Sequence, residues 1–287
     1  MAGKIFVVTG ANKGIGFGIV RGLAQQLHGA TIYLTARTPS LGEKALNDLE
    51  KELDSKMASK LTFHQLDITD EKSCADFATF LNKTQGGLDV LINNAGFAFK
   101  QNATESAGVQ ADVTIGINYY GTKLITDHLA PLIRAGGRIV NVCSQAGIMA
   151  GSYKQSLTEL FSRGNFTLDD ITNFVEEYKK LAHADNRKQG GYPESAYSVS
   201  KTAEIALTLV QARELARRNI VVNACCPGYV DTDMTSHKGH RTIAQGAETP
   251  IFLAIDETAI VRGEVDRQRL CNAADKDGVS EQTATDH

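Results

Sequence analysis

The run Lys4-Ile5-Phe6-Val7-Val8-Thr9-Gly10-Ala11-Asn12-Lys13-Gly14-Ile15-Gly16 decides the architecture. An apolar, β-prone stretch passes directly into a glycine turn, and Phe17 to Leu27 beyond it carries a helical pattern. Strand, turn and helix in that order suit an anion. Glycines let the backbone approach a pyrophosphate, and the free amides at the helix N-terminus, with its partial positive charge, meet it. Gly10, Gly14 and Gly16 are spaced as T-G-x-x-x-G-x-G, an enlarged turn relative to the older dinucleotide fingerprint.

Working outward, five further strand-like runs follow: Ala30 to Ala36, Leu61 to Leu66, Leu88 to Asn93, Gly137 to Cys143 and Ile220 to Cys226. Helical patterns separate them. Val90-Leu91-Ile92 and Ile220-Val221-Val222 are apolar without alternation, as expected of strands covered on both faces. The rhythm predicts an α/β fold with a doubly wound, mostly parallel sheet of Rossmann type. The chain has 287 residues with 42% hydrophobic content, which fits one domain over residues 1–271. All five prolines, Pro39, Pro131, Pro193, Pro227 and Pro250, fall outside the strand cores. A last short strand is expected at Gly263-Glu264-Val265, and Asn272 to His287, polar and without period, reads as a flexible tail.

A formal net charge of −3 and the lack of any Lys/Arg block point away from nucleic acid and from membrane surfaces. Cys74, Cys143, Cys225, Cys226 and Cys271 have neither C-x-x-C spacing nor histidines at ligand distance, so no metal is expected and the thiols read as reduced. The first apolar run is too short for a signal segment, and no stretch approaches a membrane span; cytoplasm is the expected location.

Tyr197 and Lys201 lie four apart in Ser195-Ala196-Tyr197-Ser198-Val199-Ser200-Lys201-Thr202-Ala203-Glu204, a helical context that places both on one face. An ammonium near a phenol favours the phenolate and moves its ionisation from about pH 10 towards the working range. Such a tyrosine can donate and regain a proton. At the end of the second strand, Ala36-Arg37 stands where an acidic residue would accept from a free ribose 2′-hydroxyl. Arg37, helped by Lys13, instead offers charge and donors to a 2′-phosphate, so the expected cofactor is NADPH/NADP.

These residues, with Asp67 after the third strand, Asn93-Asn94-Ala95-Gly96, Asn118, Ser144 and Pro227-Gly228, resemble the short-chain dehydrogenase/reductase family. Phe63-His64-Gln65-Leu66-Asp67-Ile68, Asn223-Ala224-Cys225-Cys226-Pro227-Gly228 and Glu248-Thr249-Pro250 are similar to the monomeric, NADPH-dependent carbonyl reductases within it. The likeness runs nearly to residue 270.

The resemblance implies a catalytic tetrad of Asn118, Ser144, Tyr197 and Lys201. Tyr197 protonates the alkoxide formed on a carbonyl substrate by hydride transfer, and Ser144 holds the carbonyl oxygen. Lys201 acidifies Tyr197 and meets the nicotinamide ribose, while Asn118 holds a water linking Lys201 to solvent. It further implies dinucleotide contacts from Gly10, Asn12, Lys13, Gly14, Ile15, Gly16, Arg37, Asp67 and Ile68 around the adenosine and pyrophosphate. Asn94, Ala95 and Gly96 admit the adenosine ribose, and Pro227, Gly228, Val230 and Thr232 lie at the nicotinamide side.

Ser144 and Tyr197 stand 53 positions apart, a far longer interval than most members carry. The extra segment, residues 150–192, shows helical patterns at Lys154 to Phe161 and Leu168 to Ala182, the second with a capped start at Thr167. Helices there would cover the surface on which oligomeric relatives pack, so a monomer is expected. Ile148, Met149, Tyr229 and Met234 are the candidates for an apolar wall receiving ketones, aldehydes and quinones. Two other readings remain: a reductase dedicated to one steroid, prostaglandin, pteridine or acyl-carrier ketone, and a nucleotide-sensing protein with little turnover.

Overall fold

The computed structural model describes residues 3–54 and 57–259. Cys271, the strand expected at Gly263 to Val265 and the tail lie outside them. In chain order the elements are β1 (Ile5–Val8), α1 (Gly14–Gln26), β2 (Thr31–Ala36), α2 (Pro39–Leu53), β3 (Lys60–Gln65), α3 (Glu71–Gln85) and β4 (Leu88–Asn93). Then come α4 (Ala107–Ile115), a π-helical turn (Gly116–Gly121), α5 (Thr122–Leu129), β5 (Ile133–Val142), α6 (Gln155–Ser162) and α7 (Leu168–His183). The chain continues through α8 (Ala196–Leu215), β6 (Val221–Cys225) and α9 (Ile243–Ile255).

Every strand pair is parallel, in the order β3-β2-β1-β4-β5-β6. Alternate residues feed two apolar layers. Phe6, Val8, Val90, Ile92 and Val140 pack with Ile19, Leu49 and Ile251 of α1, α2 and α9. Ile5, Val7, Leu88, Leu91 and Ile139 pack with Phe77, Leu81, Ile125 and Leu129 of α3 and α5. Both faces being covered explains the lack of polar alternation in the strands. β5 starts earlier than its sequence predicts, because Leu88 pairs with Ile133 before a register shift that carries Val90 to Arg138.

The helices between Ser144 and Tyr197 form close to where their periodicity places them. Thr167 and Asp170 close a reciprocal capping box at the start of α7. A third apolar cluster joins α4, α7 and α8 through Ala111, Ile115, Phe174, Tyr178, Val199 and Leu207.

A buried polar ladder fixes β4 and β5 against the helices on one face. Asn93 Nδ2 donates to Thr126 Oγ1 of α5 at 2.9 Å and to Asn141 Oδ1 of β5 at 2.8 Å. Asn141 Nδ2 donates onward to Thr208 Oγ1 at 2.8 Å and Gln211 Oε1 at 3.1 Å, both on α8. Asn141 is fully buried, so no water replaces a lost partner. Asn141→Leu is expected to lower the unfolding free energy by about 2–3 kcal/mol in urea titration, because it removes one acceptor from Asn93 and the donor to both Thr208 and Gln211 on α8.

Candidate active site

A parallel sheet of this order leaves a crevice at the carboxyl ends of its strands where β1 and β4 part their crossovers in opposite directions. A cleft of about 580 Å³ lies there. Its lining takes one short segment from each strand end: Gly10 to Ile15 after β1, Arg37 after β2, Asp67 and Ile68 after β3, Asn94 to Phe97 after β4, Cys143 after β5 and Pro227 after β6.

The glycine turn is held by polar contacts that the composition alone does not reveal. Thr9 Oγ1 accepts from the amides of both Asn94 and Ala95 at 3.0 Å. Asn94 Nδ2 returns to the carbonyls of Thr9 and Gly10 at 2.9 and 3.1 Å. Gly10 has φ +60°, and a Cβ there would sit 2.7 Å from the Ala95 Cα, so conformation and space both require glycine. Gly16 lies beneath the turn against the Asn94 amide and does not line the cleft. α1 begins with no side-chain cap and no acidic residue in its first turn, which leaves the helix N-terminus facing the cleft as a positive end.

Helix α8 starts at a Ser195 cap, whose hydroxyl accepts from the Ser198 amide at 3.1 Å. One turn in, Tyr197 and Lys201 both reach the cleft, with Lys201 Nζ 5.9 Å from the Tyr197 ring centre. Lys201 is only 5% exposed. Its ammonium donates to the Val142 carbonyl at 2.9 Å and to Glu204 Oε2 at 2.5 Å. Burial works against the charged form of each partner. For Glu204 burial prevails over the pull of Lys201 and holds the carboxyl above its ordinary range. For Lys201 burial is outweighed by the facing Glu204 carboxylate, and the ammonium is held above its ordinary value.

Ser144, two residues past β5, is half-buried and stands outside the cleft's lining, its hydroxyl accepting from the Ala146 amide at 3.2 Å. The loop it begins presses on α8. A Cβ at Gly147 would stand 2.6 Å from the Lys201 carbonyl carbon, and Thr202 Oγ1 donates to the Gly147 carbonyl at 2.8 Å.

Several placements differ from the sequence reading. The Asn118 side chain is not open to a water: Nδ2 donates to the Phe97 carbonyl and Ser200 Oγ, both at 2.9 Å, and Oδ1 accepts from the Phe97 amide at 2.8 Å. Fully buried in the π-helical turn, it ties the segment after β4 to α8. Lys13 Nζ pairs with Asp233 Oδ2 at 2.8 Å, leaving Arg37 as the cation beside the cleft with no ion-pair partner among the described residues. Met149 is fully buried in the third apolar cluster and does not face the cleft, since its loop turns back onto the insert. Ile148 and Tyr229 also stand outside the lining, Tyr229 exposed beside His240. Gly228 and Val230 are likewise absent from it, Val230 being buried against Gly246, whereas Thr232 and Met234 line the cleft. Val113 and Ile117 complete the wall from α4 and the π-helical turn, and no strand-end motif marks them. Among the described residues no cluster of side chains suits a metal ion, and no helix is long and apolar enough to cross a membrane.

Known proteins share this arrangement. The family profile described as short chain dehydrogenase matches residues 4–156 and 185–242, interrupted across the insert. Carbonyl reductase (NADPH) 1 of Bos taurus is 41% identical over 262 residues, spanning 88% of this chain and 90% of that protein. Carbonyl reductase (NADPH) 3 of Mus musculus is 38% identical over 257 residues, spanning 88% and 91%. Salutaridine reductase from Papaver somniferum superposes with a TM-score of 0.79 at 28% identity, over 91% of this chain and 97% of that one. With the profile matching on both sides of the insert and the cleft at the switch point of the sheet, the chain belongs to the short-chain dehydrogenase family.

Proposed function

We propose that the protein reduces carbonyl compounds to alcohols with NADPH, within a single dinucleotide-binding and catalytic domain. The observation that carries this reading is the convergence of Tyr197 and Lys201 with the glycine turn on one cleft at the strand ends. The residues fit the dinucleotide: the uncapped start of α1 and the Gly10 to Ile15 backbone suit a pyrophosphate, Arg37 a 2′-phosphate, and Asp67 an adenine amino group. Bound NADPH supplies the hydride.

The protein's part is to orient the substrate and move one proton. Ser144 holds the carbonyl oxygen beside the Tyr197 hydroxyl, and Tyr197 gives its proton to that oxygen as negative charge develops there. Lys201 stabilises the phenolate left behind. Asn118 acts through the backbone it fastens, keeping the Phe97 segment against α8. Met234 and Val113, both exposed at the cleft, offer an apolar wall to the substrate.

A monomer in the cytoplasm completes the reading. α7 lies against α4 and α8, with Tyr120 Oη donating to Glu176 at 2.8 Å and His183 meeting Asp112 at 2.8 Å. The insert thus occupies helix surface that self-association would otherwise use. Light scattering at micromolar concentration is expected to give the mass of one chain, and a stable tetramer would refute this.

Tyr197→Phe is expected to bind NADPH with affinity close to the parent and to lose roughly a hundredfold or more in turnover of quinones and aromatic aldehydes, followed by NADPH absorbance. Near-parental turnover would reject the acid assignment. In the parent, activity over a panel of quinones, dicarbonyls and aldehydes supports a broad reductase, one fast substrate a dedicated one, and binding without turnover a nucleotide sensor. Arg37→Asp is expected to raise KM for NADPH about tenfold or more and to improve relative use of NADH. An unchanged preference would remove Arg37 from the 2′-phosphate site.

A further inference from the structure

The carboxylate that faces Lys201 has no part in the scheme above. Glu204 lies one turn along α8, 1% exposed, with Oε2 2.5 Å from Lys201 Nζ. No other charged side chain approaches that ammonium among the described residues. The remaining neighbours of the carboxyl come from other elements: the Thr122 hydroxyl of α5 and the buried Cys143 thiol just past β5. Burial and the Glu204 charge together push that thiol well up, so it stays neutral and adds no charge of its own. Tyr197 stands one turn before Lys201 on α8 and Glu204 nearly one turn after it, and the Tyr197 ring centre lies 5.9 Å from Lys201 Nζ.

A carboxylate in direct contact changes what an ammonium does to a third group. An isolated cation a few ångströms from a phenol stabilises the phenolate with its full charge. A cation whose counter-charge sits on its far side acts as a dipole, whose field falls off faster with distance. The pair is sequestered from water and salt, so neither screens it.

We infer that Glu204 is a positioning residue for the reduction, holding Lys201 against Val142 and attenuating the positive field that Lys201 casts on Tyr197. This rests on the proposed role of Tyr197 as proton donor. Its consequence has a definite sign. With Glu204 in place Tyr197 keeps its proton to higher pH, which favours donation to a carbonyl oxygen over withdrawal of a proton from an alcohol. With the carboxylate removed, the phenolate forms at lower pH.

The test is the pH profile of kcat/KM in both directions, with para-nitrobenzaldehyde and NADPH, and with para-nitrobenzyl alcohol and NADP. In Glu204→Gln, which keeps the shape and an acceptor for Lys201, the alkaline fall of reduction and the alkaline rise of oxidation are both expected to move down by about one pH unit. Glu204→Met, of similar length without acceptor or charge, is expected to move them the same way and gives a second route if the glutamine variant folds poorly. Thr208→Val removes a hydroxyl that donates to the Glu204 carbonyl at 2.8 Å, disturbing the same packing without touching charge. It is expected to lower stability and leave both limbs in place. Limbs that stay put in folded Glu204→Gln overturn the inference while the Tyr197 assignment stands, provided Tyr197→Phe is inactive. A fall in reduction with oxidation lost at every pH also overturns it, because Glu204 would then serve to keep Lys201 charged.

Discussion

Thr9 accepts two amide hydrogen bonds from the chain that follows β4, and this contact sets the floor on which the cleft is built. In a doubly wound sheet the strands on either side of the switch point send their crossovers to opposite faces, so nothing in the crossover itself joins the two strand ends. The Thr9 hydroxyl and the Asn94 amide supply that join, and they draw Ala95 so close that position 10 has no room for a side chain. The glycine turn and the Asn94 to Gly96 segment therefore form one rigid edge. A dinucleotide laid across it meets surfaces whose separation is set before it arrives, and little ordering cost is left for binding.

The same logic runs through α8, which is buried on nearly every side yet carries a long series of polar residues. Each has a partner in a different element: Ser200 receives Asn118, Thr202 reaches Gly147 and Tyr153, Thr208 receives Asn141, and Lys201 meets Val142. A shift of the helix by one residue would strand all of them at once, each at the cost of an unsatisfied buried group. Apolar packing alone would tolerate such a slip more readily. The polar contacts fix the height at which Tyr197 and Lys201 emerge, which is the quantity proton transfer depends on.

The reach of sequence reasoning follows from the range of the interactions involved. The strands were legible because covered parallel strands are short apolar runs, and α7 because its cap and its period are local; both families of signal lie within one element. Tyr197 and Lys201 were legible for the same reason. The pair between Lys13 of the glycine turn and Asp233 joins positions 220 apart, and no spacing rule connects them. The three hydrogen bonds of the Asn118 side chain reach the segment after β4 and α8, neither of which adjoins it in sequence, so no local pattern announces them. Glu204 carries no signal of its own in the sequence: a glutamate at i+3 from a lysine on a helix usually marks a solvated pair, and only burial distinguishes this one.

Met149 shows how the insert acts on the cleft without lining it. Met149 follows Ser144 by five residues in a strand-end loop, a place that suits a pocket wall, but its side chain enters the cluster shared by α4, α7 and α8. The loop that begins at Ser144 is thus held twice, at Gly147 against the backbone of α8 and at Met149 in the apolar cluster that α4, α7 and α8 share. Through that cluster the insert shares in holding the loop that carries Ser144. Variation in what the cleft accepts is therefore expected from the positions left exposed at its mouth, Val113 and Met234, whose exchange disturbs neither clamp.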